Sequence, residues 1–112
     1  MNKLFMRRFE GADGAISGWV FWCPACDSVH AYYLKNEPGK PTWTWNGSMD
    51  KPTFRASLLL QWNYGPQQEP RRCHLHITDG VIEYCTDCLH PMAGQRVPLP
   101  PLPDYLQDDS PF

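Results

Sequence analysis

The chain is poor in several things, and each shortage excludes a class of function. It has no excess of positive charge. Ten Lys and Arg face twelve Asp and Glu over 112 residues, for a net charge of −2. A protein that coats nucleic acid needs clustered cations against phosphate, so that class is disfavoured, and Arg7-Arg8 and Arg71-Arg72 read as solvated surface pairs. It has no long apolar run. The opening MNKLFMRRFEG lacks a signal-peptide core, and no later stretch approaches the length of a membrane span. The expectation is a cytoplasmic protein with no membrane partner. It has no internal repeat. It also lacks an even number of cysteines: with five, one is left over in any full disulfide pairing. In a reducing compartment close-spaced cysteines point to metal binding or redox chemistry instead.

What is present suits a small, mostly β single domain. Twelve prolines and eight glycines favour short elements and long connections over a helical bundle. Residues 18–23 and 30–34 read as two strands of a hairpin with Cys23-Pro-Ala-Cys26 at its tip. Residues 36–42 (NEPGKPT) read as a loop, and Thr42 to Asn46 alternates so that Trp43 and Trp45 share a face. The apolar run ASLLLQW, residues 56–62, reads as a buried strand, and residues 63–71, with Pro66 and Pro70, as a polar loop.

The stretch CHLHITDGVIEYCTDCLH, residues 73–90, carries the strongest hairpin signal. Asp79-Gly80 is a preferred pair for a two-residue type I′ turn. Counting outward, Thr78 faces Val81, Ile77 faces Ile82, His76 faces Glu83, Leu75 faces Tyr84 and His74 faces Cys85. Side chains alternate, so Cys73, Leu75, Ile77, Ile82 and Tyr84 look into the core, while His74, His76, Glu83 and Cys85 look the other way. After residue 90, VPLPPLP (97–103) favours polyproline II and reads as a strap across the domain.

Two C-x2-C pairs, Cys23/Cys26 and Cys85/Cys88, make a four-cysteine zinc site the default reading for a cytoplasmic chain. The hairpin count leaves an alternative second pair, because Cys88 has the parity of Cys73 if the second strand continues, with His90 close behind. Cys85 would then be a small hydrophobe beside His74. His30 completes a C-x2-C-x3-H spacing and is a further candidate ligand. A disulfide-redox role for Cys23 and Cys26 is disfavoured, since it needs a thioredoxin-like βαβ context. His74, His90 and Asp87 form a candidate acid/base set, either orienting ligands or working around a zinc-bound water. The five tryptophans read mainly as core, with Trp43 and Trp45 the best candidates for an exposed binding face.

The segments FWCPACDSVHAYYL, WTWNGSMDKPTFRASLLL, CHLHITDGVIEY and DCLHPMAGQRVPLP, spanning roughly residues 18–103 in order, resemble a family of short phage and prophage proteins. These proteins are sometimes given the name ammonia monooxygenase, which nothing in the residues supports. The resemblance implies that Cys23, Cys26, His30, Cys73, His74, Asp87, Cys88 and His90 belong to the family pattern and that His76 and Cys85 do not. It thereby favours Cys73 and Cys88 over Cys85 as the second ligand pair.

The resulting expectation is a single zinc-binding β domain over residues 1–112. Its core would span about 18–96, with 97–112 a proline-rich strap or tail, and a zinc-ribbon-like site held by Cys23, Cys26, Cys73 and Cys88 would clamp its hairpins. The expected role is non-enzymatic: a phage accessory protein in the host cytoplasm that binds a host or phage macromolecule, expected to be a protein, countering a defence system, with Trp43, Trp45 and His74 at the working surface. The alternatives are a zinc-dependent hydrolase or nucleotide-processing enzyme using His74, His90 and Asp87, and a nucleic-acid-binding zinc module.

Overall fold

Period-two alternation decides the architecture. The computed structural model describes residues 3–34, 42–108 and 110–112. Residues 36–41 of the expected NEPGKPT loop lie outside them. The strands are β1 (Met6–Glu10), β2 (Ile16–Cys23), β3 (Ser28–Tyr33), β4 (Thr44–Trp45), β5 (Phe54–Tyr64), β6 (Glu69–Thr78), β7 (Val81–Tyr84) and β8 (Arg96–Pro98), followed by a 3-10 turn at Asp104–Leu106. They form two antiparallel sheets, β1-β2-β3 and β4-β5-β6-β7-β8. The protein is thus mostly β. No helix among the described residues is long and apolar enough to cross a membrane.

The inward faces meet through aromatic rings. Phe21 of β2 stacks on Tyr32 of β3, and Tyr32 stacks on Phe54 of β5 at 4.1 Å between ring centres. Such a pair contributes about 0.5–1.5 kcal/mol beyond its area burial. Leu75, Ile77 and Ile82 fill the remainder, all fully buried. The β6–β7 register is the one counted from sequence, from Thr78↔Val81 to Leu75↔Tyr84. Asp79 and Gly80 both take positive φ, 49° and 76°, as a type I′ turn requires.

Three expectations need correction. Residues 63–71 are not a loop: β5 runs to Tyr64, a tight turn closes at Gly65, and β6 begins at Glu69, with Asn63 paired to Pro70. Pro66 falls within the turn, where a fixed φ helps, and Pro70 sits near a strand end. Residues 56–62 are a strand but not a buried one, because only one face of the sheet is covered. Leu58 is buried, whereas Leu59 and Trp62 are 46% and 41% exposed. The proline-rich segment is both strand and strap. Arg96–Pro98 forms the sheet's edge on β7, the position that tolerates proline. Beyond it Leu99 and Leu102 are buried, with their amides bonded to the Gly80 and Leu4 carbonyls.

Trp43 and Trp45 pack against the core instead of standing free. Trp43 meets Tyr32 edge-on, Trp45 lies 5.1 Å from Trp19, and their indole N–H groups donate to the Ser57 and Ser48 carbonyls. Strand β1 carried no clear sequence signal, yet its Met6 is 1% exposed. The C-terminal residues return to it: the Phe112 amide donates to Arg8 O, and Arg7 donates to the Ser110 and Pro111 carbonyls.

Candidate functional sites on two faces of one strand

Strand β6 carries alternating chemistry on its two faces. Inward, Cys73 meets the tip of the β2–β3 hairpin. Cys23 ends β2, Cys26 lies in the turn, and His30 sits on β3 opposite Phe21. The ligand atoms of Cys23, Cys26, His30 and Cys73 all lie within 4.8 Å of one another. The Cys23 and Cys73 sulfurs are 3.9 Å apart and not bonded. Two thiolates on a tetrahedral zinc with bonds of ~2.3 Å stand about 3.8 Å apart, so the spacing fits. His30 Nε2 is buried and has no hydrogen-bond partner. The crowded thiols disturb one another's protons. Hydrogen bonds from Cys26 and Cys73 hold the Cys23 thiol well below its ordinary value, and the contact with Cys23 pushes Cys26 up to about 11. The donor set suits a closed, structural Cys3His zinc. Tyr84 supports it, with its hydroxyl 3.1 Å from Cys23 Sγ and accepting from the Ala25 amide.

Cys88 is not in this group. Strand β7 ends at Tyr84, and residues 85–88 turn back, with the Cys88 amide donating to Cys85 O. The parity that would carry Cys88 to Cys73 therefore stops short. Instead the Cys88 thiol donates to His74 O at 3.1 Å and accepts from the His74 amide at 3.3 Å. The Cys85 amide also donates to His74 O, at 2.8 Å. His90 lies beside the cluster: its Nδ1 accepts from the Met92 amide, its ring meets Tyr84 edge-on, and its Nε2, like that of His30, is buried with no hydrogen-bond partner.

The outward face holds a different arrangement. His74 Nδ1 is 3.0 and 3.2 Å from the two Asp87 oxygens, and His74 Nε2 is 2.9 Å from Ser57 Oγ. An ionised carboxylate only accepts, so the neutral imidazole carries its proton on Nδ1 and donates to Asp87. Nε2 is then left to accept from the Ser57 hydroxyl. The imidazole N–H holds the Asp87 carboxyl below the usual carboxylate range. Ser57, His74 and Asp87 thus have the connectivity of a nucleophile, its base and the group that orients the base. That constellation is recognised by geometry and role, not by chain order.

Sequence reading found His74 and Asp87 but missed Ser57. It lies where β5 bulges: Phe54 pairs with Ile77 and Leu58 with Leu75, so three residues of β5 oppose the single His76. Bulges re-aim side chains and recur beside active sites. Here the bulge puts Ser57 on the outward face, diagonal to His74. Arg55 spans the irregularity, donating to the Phe54 and Ile77 carbonyls and to Thr78 Oγ1. Trp43 anchors the Ser57 carbonyl at 3.0 Å. On the other side, Arg72 donates to Asp87 O and steadies the turn that delivers the carboxylate.

Among known proteins, residues 3–85 match the family model described as "Bacterial ubiquitination-like system serine protease (BubE)". No curated protein and no solved structure matches. That description concerns a bacterial system and says nothing of a phage, so it gives no support to the phage origin or defence-countering role expected from the resemblance.

Proposed function

The chain belongs to the BubE family of bacterial ubiquitination-like system serine proteases, and from that premise we propose that it is a serine hydrolase acting on an acyl bond in a protein of such a system. The observation that carries the reading is the Ser57–His74–Asp87 relay, with both links at hydrogen-bonding distance. Ser57 Oγ attacks the substrate carbonyl while His74 Nε2 takes its proton. The imidazolium is stabilised by Asp87 and returns the proton to the leaving group. Water then repeats the cycle to release the acyl-enzyme.

A protein substrate suits the surroundings. Strand β4 pairs only with Arg55 and Phe54, so among the described residues no strand lies against the outer edge of β5 from Ser57 to Tyr64. An extended peptide added along that edge as a further strand would bring its carbonyls past Ser57. Zinc enters this proposal as a structural ion. Cys23, Cys26, His30 and Cys73 would hold it, and with four protein ligands it leaves no open position for substrate. Its contribution would be to fix β6, which carries the base.

The test needs no knowledge of the natural substrate. A fluorophosphonate probe, which esterifies activated serines, labels the purified protein at Ser57, and Ser57→Ala and His74→Ala abolish the labelling. A folded, zinc-loaded protein that the probe leaves unmodified overturns the proposal.

A further inference from the structure

The outward face of the β6–β7 hairpin holds more ligand chemistry than a serine hydrolase needs. Cys85 lies opposite His74, held there by its backbone N–H donating to His74 O. Ligand atoms of His74, Cys85 and Asp87 lie within 4.8 Å of one another. His76, the next outward residue on β6, brings its Nδ1 to 4.0 Å from the Cys85 sulfur. One thiol, one carboxylate and a second imidazole therefore gather around the base of the proposed relay. A thiol with imidazole and carboxylate is a donor set that favours zinc over magnesium or calcium. Asp87 is exposed and His74 and Cys85 only half-buried, so an ion can reach them from solvent. The closed Cys3His group lies on the opposite face of the same strand and shares none of these residues.

We propose that His74, Cys85 and Asp87 form a second, inhibitory zinc site that silences the hydrolase when free Zn2+ rises. The chemistry is a competition for one nitrogen. In the relay, His74 Nδ1 carries the proton and Nε2 accepts from Ser57. Zinc at Nδ1 forces that proton onto Nε2, so the imidazole faces Ser57 as a donor and can no longer take its proton. The Cys85 thiol releases one proton to solvent as its sulfur binds, and Asp87 exchanges its bond to the imidazole for one to the metal. The ion, the thiolate and the carboxylate sum to zero charge, with the imidazole neutral throughout.

The inhibition rests on the relay proposed above, but the binding does not, and the experiment separates them. Protein carrying its tight zinc equivalent is titrated with Zn2+ in a metal buffer. Bound zinc is counted by native mass spectrometry, and Ser57 labelling by fluorophosphonate is timed in parallel. Cd2+ replaces Zn2+ to record the thiolate-to-metal absorption. The expected result is a second, weaker equivalent, a new thiolate band, and a labelling rate lowered by roughly 10^4-fold, the size of a wrong-tautomer defect. Cys85→Ala loses the second equivalent and the band, and keeps labelling in zinc. Cys85→Ser serves the same purpose should the alanine variant fold poorly. Failure to bind a second equivalent, a second equivalent that survives both variants, or labelling that zinc accelerates overturns the proposal. If binding follows expectation while Ser57 is unreactive even without added zinc, the relay fails and so does the inhibitory role.

Discussion

The two C-x2-C segments have the same spacing and opposite fates. Residues 23–26 close a hairpin whose strands continue on both sides, so Cys23 and His30 keep inward parity and converge with Cys73. Residues 85–88 follow the end of a strand. There the chain turns back, and Cys85, Asp87 and Cys88 all serve His74: one through its amide, one through its carboxylate, one through its thiol. Spacing alone thus brings two sulfurs near one another without saying what they face. The strand that enters the motif, and whether it continues beyond it, decides between a metal knuckle and a brace for a base.

That contrast can be broken or sharpened by substitution. The largest effect should come from the braced side. Ser57→Ala is expected to lower hydrolysis of an activated ester by about 10^4-fold or more with little change in melting temperature, measured by ester turnover and thermal denaturation. Next comes the knuckle. Cys23→Ser and Cys73→Ser should lose the tight zinc and ~4–5 kcal/mol or more of stability, because metal binding free energy is folding free energy. Denaturant midpoints read beside zinc content check this; equal losses from Cys88→Ser would restore a ribbon-like ligand set and end the contrast. The smallest effect belongs to the brace itself. Cys88→Ala removes a buried thiol bonded to the His74 backbone and should cost ~1–2 kcal/mol, with zinc content unchanged. Cys88→Ser, which can still donate to His74 O and accept from its amide, should recover part of that stability.

Much of this was legible in the sequence, and the reasons for the gaps are physical. The Asp79-Gly80 turn fixes register by itself, so the inward Cys73 and outward His74 follow from counting. The fourth ligand did not follow. His30, Cys85, Cys88 and His90 all had acceptable spacing, and only the fold shows that His30 joins Cys23, Cys26 and Cys73 within 4.8 Å. Ser57 was hidden by two things. Reading residues 63–71 as a loop left β5 without a partner. Had Gly65 been taken as a hairpin turn, Leu59 would have faced His74, and a serine two residues earlier would have stood out. The bulge after Phe54 is the second obstacle, since no local pattern in TFRASLL announces it.

Cys73 and His74 are consecutive residues pointing to opposite faces of β6. The anchor of the structural cluster and the proposed base therefore share a peptide bond. Stripping the tight metal would slacken the backbone that aims the imidazole, and activity would vanish in a chelator although no metal touches the reacting atoms. A laboratory sorting hydrolases by inhibitor class would file this one with the metallopeptidases. Adding zinc back in excess would then inhibit it through Cys85 and deepen the confusion. Labelling of Ser57 is the measurement that would tell the proposed serine hydrolase from a metallopeptidase.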